Sequence, residues 1–194
     1  MESIKDYFKE FNEIFHSISL DSIEKFASLL EEAYFKDKNI FIIGNGGSAS
    51  IASHFACDLG KGTINNFFSN KNKRFKVNSL SENIPLISAY GNDLGYENIF
   101  SEQLKNLMNP GDILVAVSSS GNSPNIIKAV KTAKEGKLFV IGLSGFKGGM
   151  LKELADLSIH IPKEHYGCVE DLHMLILHSV AYFLKEKFKK ENLL

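Results

Sequence analysis

The 194-residue chain carries 22 Lys+Arg against 23 Asp+Glu, a formal net charge of −1, and 44% of its residues are hydrophobic. That length and mix allow a real hydrophobic core and exclude a disordered chain, while the balanced charge offers nucleic acid no electrostatic footprint. The apolar runs are too short for a membrane span, and Met1-Glu2-Ser3-Ile4-Lys5-Asp6 lacks the basic-then-apolar layout of a signal peptide. Two cysteines, Cys57 and Cys168, require no disulfide framework, so a reducing cytoplasm is expected. Arg74 is the one arginine among many lysines, so an anion site here must rest on something other than guanidinium forks.

In chain order, Ile4, Tyr7, Phe8, Phe11, Ile14 and Phe15 recur at helical spacing and give the first helix a strongly apolar stripe. Asp21 and Glu24 have the spacing of a capping box, opening a second helix that buries Ile23, Phe26, Leu30 and Ala33. The two helices either cover a sheet or, as the aromatic richness of the first favours, residues 1–37 pack against another subunit. Short β-branched runs then appear at Asn39–Ile43, Phe75–Ser79, Asp112–Val117, Leu138–Leu143 and Leu157–Ile161. Helical stretches lie between them, at Ser50–Asp58, Ile84–Ala89, Tyr96–Leu107, Asn125–Lys134 and Met150–Ala155, and a long one closes the chain at Val169–Lys189. Such alternation predicts a three-layer α/β/α sandwich with a parallel sheet, in one domain over 1–194 with helical ends.

Parallel α/β sheets bind ligands at the carboxyl ends of their strands, and two of those ends are unusual. Gly44-Asn45-Gly46-Gly47-Ser48-Ala49 follows the strand ending at Ile43. Its glycines allow a close approach to main-chain N–H groups, and Ser48 is placed to cap the next helix. Ser118-Ser119-Ser120-Gly121-Asn122-Ser123-Pro124 follows Asp112–Val117, with Ser123 as an N-cap and Pro124 as the first helical residue. Hydroxyls and free N–H groups at a helix start hold a phosphate without arginine. A dinucleotide reading of Gly44-x-Gly46-x-x-Ala49 fails, because Asn78-Ser79-Leu80-Ser81 supplies no acid where the second strand ends. A phosphate ester is the expected ligand.

Three motifs taken together, Asn45-Gly46-Gly47-Ser48-Ala49, Gly91-Asn92-Asp93-Leu94-Gly95 and Ser118-Ser119-Ser120-Gly121-Asn122-Ser123, make the chain similar to the sugar-isomerase (SIS) domain family and, within it, to the phosphoheptose isomerases. The resemblance implies a flavodoxin-like five-stranded parallel sheet and a homotetramer with sites at subunit interfaces. It also implies conversion of sedoheptulose 7-phosphate into a mannoheptose 7-phosphate for surface polysaccharide. By that likeness Ser118, Ser119, Ser120 and Ser123 hold the phosphate, while Asn45, Gly46, Gly47, Ser48 and Asp93 line the sugar.

Aldose–ketose isomerisation needs a base at carbon, a proton source at oxygen and often a cation for the enediolate. His54 and Asp58, four apart, share one helix face, and Glu170, Met174 and His178 share a stripe of the last helix with His173 nearer its edge. Two histidines and two carboxylates suit Zn²⁺, although the same spacing also describes a solvated pair and a core histidine. The resemblance implies zinc on His54, Asp58, Glu170 and His178, with the carboxylate as base and His178 as acid. Asp58 replaces a glutamate of the family and Glu170 a glutamine, and Tyr166-Gly167-Cys168-Val169 stands where Thr-Ala-Arg is usual. Asp58 and Glu170 both stay open as the base, and a non-catalytic SIS protein that binds a sugar phosphate or another protein is the rival reading.

Overall fold

The computed structural model describes residues 3–64 and 73–190, so the ends of the expected 1–194 unit lie outside it. The β-branched runs form five strands: β1 Asn39–Gly44, β2 Lys76–Ser79, β3 Ile113–Ser118, β4 Phe139–Ser144 and β5 Leu157–His160. All pair in parallel in the order β2-β1-β3-β4-β5. This is the flavodoxin-like order, and its direction reverses between β1 and β3, where such sheets bind ligands.

Alternate side chains of each strand feed two cores. Ile40, Ile42, Ile113, Val115 and Val117 face α2 (Leu20–Phe35), α3 (Gly47–Cys57) and α8 (Tyr166–Lys190), which bring Phe26, Leu30, Phe55, Leu172 and Ile176. Phe41, Ile43, Leu114, Ala116 and Val140 face the opposite layer. That layer holds α4 (Ile84–Leu94), α5 (Ser101–Leu107), α6 (Pro124–Glu135) and α7 (Gly149–Leu154), with Leu104, Ile126, Val130 and Leu151 inward. Each fully buried Phe, Leu or Ile contributes about 1.5–3 kcal/mol, so the two cores dominate the fold's stability. Among the described residues no helix is long and apolar enough to cross a membrane.

Helix α1 (Ile4–Phe15) buries no residue fully; Phe11 and Ile14 rest on the first core while Ile4, Phe8 and Phe15 stay exposed. The capping box lies here instead of at Asp21/Glu24: the Ser3 hydroxyl accepts from Asp6 N–H at 3.3 Å and the Asp6 carboxylate from Ser3 N–H at 2.8 Å. In α2, Leu20 is already helical, so Ser19 is the cap and Asp21 falls inside the first turn. Helix α4 runs past the expected Ala89 to Leu94. The single helix expected over Tyr96–Leu107 is instead a 3₁₀ turn, Tyr96–Asn98, followed by α5. There the Asn98 amide donates to Leu94 O and the Ser101 hydroxyl to Asn98 O, side-chain bonds that compete with a continuous helical ladder.

Candidate active site

The turn after β1 and the turn after β3 stand side by side at the carboxyl edge of neighbouring strands and enclose a cleft of ≈ 280 Å³ with Tyr166 and Glu170 from the start of α8. Of the expected ligand-binding residues, Asn45, Gly46, Gly47, Ser48, Ser118, Ser119, Ser120 and Ser123 all line it. Helix α3 starts at Gly47, earlier than expected, so Gly46 holds the N-cap position and Ser48 is buried in the first turn without a capping role. Ser123 does occupy the N-cap of α6, ahead of Pro124, but its hydroxyl makes no cap bond and stays available.

Both turns keep donors for an anion. Among the described residues nothing accepts from the N–H groups of Gly46, Gly47, Ser48, Ser119 or Ser120, whereas Ala49 and Ser50 donate back to Gly46 O. The serine turn is held in shape from within: Gly121 N–H donates to Ser118 O at 3.0 Å and Asn122 N–H to the Ser120 hydroxyl at 3.3 Å. Among the described residues the buried Ser119 hydroxyl has no hydrogen-bond partner. Gly121 has φ +66° and a Cβ there would lie 1.9 Å from Gly148 O, so this turn has no room for any other residue.

Gly47 packs against a side chain instead of against backbone. A Cβ on it would sit 2.3 Å from Glu170 Oε2, so the Glu170 carboxylate lies directly over the glycine turn. Burial first, and then the charge of Asp171, raises the pKa of Glu170 above the usual carboxylate value. Asp171 in turn accepts from the Tyr7 hydroxyl, which fastens α1 to the start of α8.

A second cluster sits elsewhere. His54 Nε2 and His178 Nε2 lie 2.9 Å apart, and Asp58 Oδ2 is 3.5 Å from each. Asp58 stands where α3 widens into a π turn, Asp58–Gly62, an irregularity common at functional sites. Ligand atoms about 2.05 Å from a tetrahedral ion are themselves about 3.3 Å apart, so this triangle matches one face of such a site and leaves a fourth position open. These three residues could hold a metal ion.

Two expected site residues fall outside the places assigned to them. Glu170 does not join the His54–Asp58–His178 group within one chain. It precedes His178 by eight residues of α8, a rise of about 12 Å, and sits in the serine–glycine cleft instead. Asp93 is exposed in the last turn of α4, accepts from the Asn92 amide at 2.8 Å and does not line the cleft. Three residues that the sequence reading missed do belong here: Tyr166 in the wall, and Asn125 and Tyr96 behind Asn45. Asn125 was visible in the sequence only as an ordinary polar residue in the first turn of a helix.

His173, also on α8, is fully buried, and among the described residues neither ring nitrogen makes a well-formed hydrogen bond, the Ser144 main chain being only a weak contact. Burial pushes its pKa down to about 4, and the Ser144 main chain opposes this only in part. The unfolded chain, with an ordinary His pKa of about 6.5, binds the proton first as pH falls. Stability is therefore complete above pH ~6.5 and declines toward pH ~4, by about 3 kcal/mol from this residue alone. Urea titrations should show that decline in the wild type and a markedly flatter profile in His173→Leu; parallel profiles would refute the assignment.

Comparison with known proteins agrees with this arrangement. Residues 6–145 match the SIS domain family. Phosphoheptose isomerase 1 of Campylobacter jejuni is 37% identical over 166 residues, covering 86% of this chain and 87% of that protein. A phosphoheptose isomerase of Helicobacter hepaticus is 38% identical over 166 residues, covering 86% and 82%. Among solved structures, the phosphoheptose isomerase GmhA of Neisseria gonorrhoeae superposes with a TM-score of 0.85 at 28% identity, covering 94% of this chain and 97% of the other. With its serine and glycine turns at the switch point of a 2-1-3-4-5 sheet, the chain belongs to the SIS domain family and, within it, to the phosphoheptose isomerases.

Proposed function

We propose that the protein isomerises sedoheptulose 7-phosphate to D-glycero-D-manno-heptose 7-phosphate in the cytoplasm, supplying heptose for surface polysaccharide. The observation that carries this reading is the pairing of a hydroxyl- and amide-lined cleft with a His/Asp/His group in a chain whose relatives are phosphoheptose isomerases. The 7-phosphate lies on Ser118, Ser119, Ser120 and Ser123 and on the free N–H groups of the two turns, where hydroxyls and helix-start dipoles replace arginine.

The donor set and its spacing fit zinc, which His54, Asp58 and His178 would hold; bound there, it would supply Lewis acidity for the carbonyl and its enediolate. Asp58 removes the proton from C1 of the ketose and returns it to C2. Its Oδ2 faces the imidazoles, leaving Oδ1 for this transfer. His178 supplies a proton to O2 through Nδ1, the ring nitrogen not turned toward His54, and takes the proton off O1 as the C1 aldehyde forms, so both groups end the cycle as they began.

Within one chain the cleft and the triad are far apart: about 16 Å of α3 separates Gly47 from Asp58, and about 12 Å of α8 separates Glu170 from His178. The likeness to the phosphoheptose isomerases and this separation together support a site completed between subunits of a homotetramer. The triad of one subunit would then face the cleft of another, where Glu170 would serve as the fourth ligand. Tyr182 and Phe183 beside the triad, and Ile4, Phe8 and Phe15 on α1, are the exposed apolar side chains this assembly would cover.

Incubation with sedoheptulose 7-phosphate should yield the aldose, a chelator should abolish the reaction, and His54→Ala should lose bound zinc. Absence of turnover under every metal condition would leave the non-catalytic reading in its place.

A further inference from the structure

Asn45 and Asn125 face each other as a reciprocal amide pair. Asn45 Nδ2 donates to Asn125 Oδ1 at 2.9 Å, and Asn125 Nδ2 donates to Asn45 Oδ1 at 2.8 Å. Ile126 N–H also donates to Asn125 Oδ1 at 3.0 Å, which fixes the orientation of that amide and, through it, of Asn45. The Tyr96 hydroxyl completes the group with a bond to Asn45 Oδ1 at 3.3 Å.

Asn125 is 1% exposed and does not line the cleft, although it is only two residues beyond Ser123. Asn45 belongs to the glycine turn after β1 and Asn125 to the start of α6 after the serine turn. The pair is therefore a direct side-chain link between two turns that converge on one ligand. Asn45 Oδ1 thus accepts twice and Nδ2 donates once, which leaves the second Nδ2 hydrogen of this cleft-lining amide for a ligand.

We propose that Asn125 is a positioning residue: through Asn45 it holds the glycine turn and the serine turn at the separation a phosphate ester needs. The inference rests on the two turns being a phosphate-ester site. A single loose amide would let the turns drift apart, and misplacement of a preorganised site is felt as lost binding before the fold itself fails.

The test is direct binding of inorganic phosphate to the metal-loaded protein by calorimetry, together with KM and kcat for sedoheptulose 7-phosphate. Asn125→Asp keeps the acceptor for Ile126 N–H but breaks one arm of the pair, and Asn125→Ala removes both. The expected result is about tenfold weaker phosphate binding and a KM raised about tenfold in Asn125→Ala, which adds no charge beside the anion, with kcat changed less than threefold. Combined with Asn45→Ala it should cause no further loss, because the two residues act as one unit. A folded Asn125→Ala with wild-type affinity, or losses that add in the double variant, would overturn the link even where wild-type turnover is confirmed. Wild-type phosphate binding without heptose turnover would remove the assigned reaction and leave the link standing. A wild type that binds no phosphate would remove both.

Discussion

Asp58→Asn is expected to lower kcat for sedoheptulose 7-phosphate by a factor on the order of 10²–10⁴, the range a positioned general base contributes. Asn keeps the shape of Asp58 but cannot take the proton from C1, and it weakens the charge opposite His54 and His178. Exchange of the C1 proton with solvent deuterium should disappear in step with turnover. Zinc content measured on the same preparations separates a lost base from a lost metal. Asp58→Glu, which places the glutamate of the family here, should stay active. Glu170→Gln should do so as well, within about threefold, since an amide oxygen can still reach the metal from the cleft and only one charge is removed. The raised pKa of Glu170 comes from burial first and then from Asp171, both set by its place in the cleft. Near wild-type exchange in a zinc-loaded Asp58→Asn protein, with Glu170→Gln inactive, would move the base to Glu170.

Mixed assemblies of two inactive variants should regain activity. Ser120→Asp places a carboxylate against the phosphate and disables the cleft; His178→Ala disables the triad. Each alone should fall at least about a hundredfold, by the loss of a charge-complementary contact or of a metal ligand. After unfolding and refolding together in equal amounts, a site built from the cleft of one subunit and the triad of another is intact in about a quarter of cases, so about a quarter of wild-type activity should return. Sites contained within single chains would give none. The distances favour recovery: α3 and α8 both leave the cleft at Gly47 and Glu170 and carry Asp58 and His178 three and two turns away, toward a surface that exposes Tyr182 and Phe183.

The sequence by itself determined the layers, the strands and the anion turns of this protein. Runs such as Ile40-Phe41-Ile42-Ile43 are apolar on both faces, which only a sheet covered on both sides can satisfy, and Ser-Pro or Gly-Gly after such a run can only open a helix at the sheet edge. His54 with Asp58 was equally legible, because residues four apart on a helix share a face whatever surrounds them. What depended on contacts between distant segments had no local signal. Tyr96–Leu107, one helix by residue preference, splits into a 3₁₀ turn and α5 where the Asn98 and Ser101 side chains bond back to the main chain. Within one chain Glu170 stands in the cleft, apart from the His54–Asp58–His178 group, because eight residues along α8 set it about 12 Å from His178, a separation that a shared stripe on a helix does not reveal. The Asn45–Asn125 link joins residues 80 positions apart, and only the parallel register of β1 and β3 brings their amides face to face.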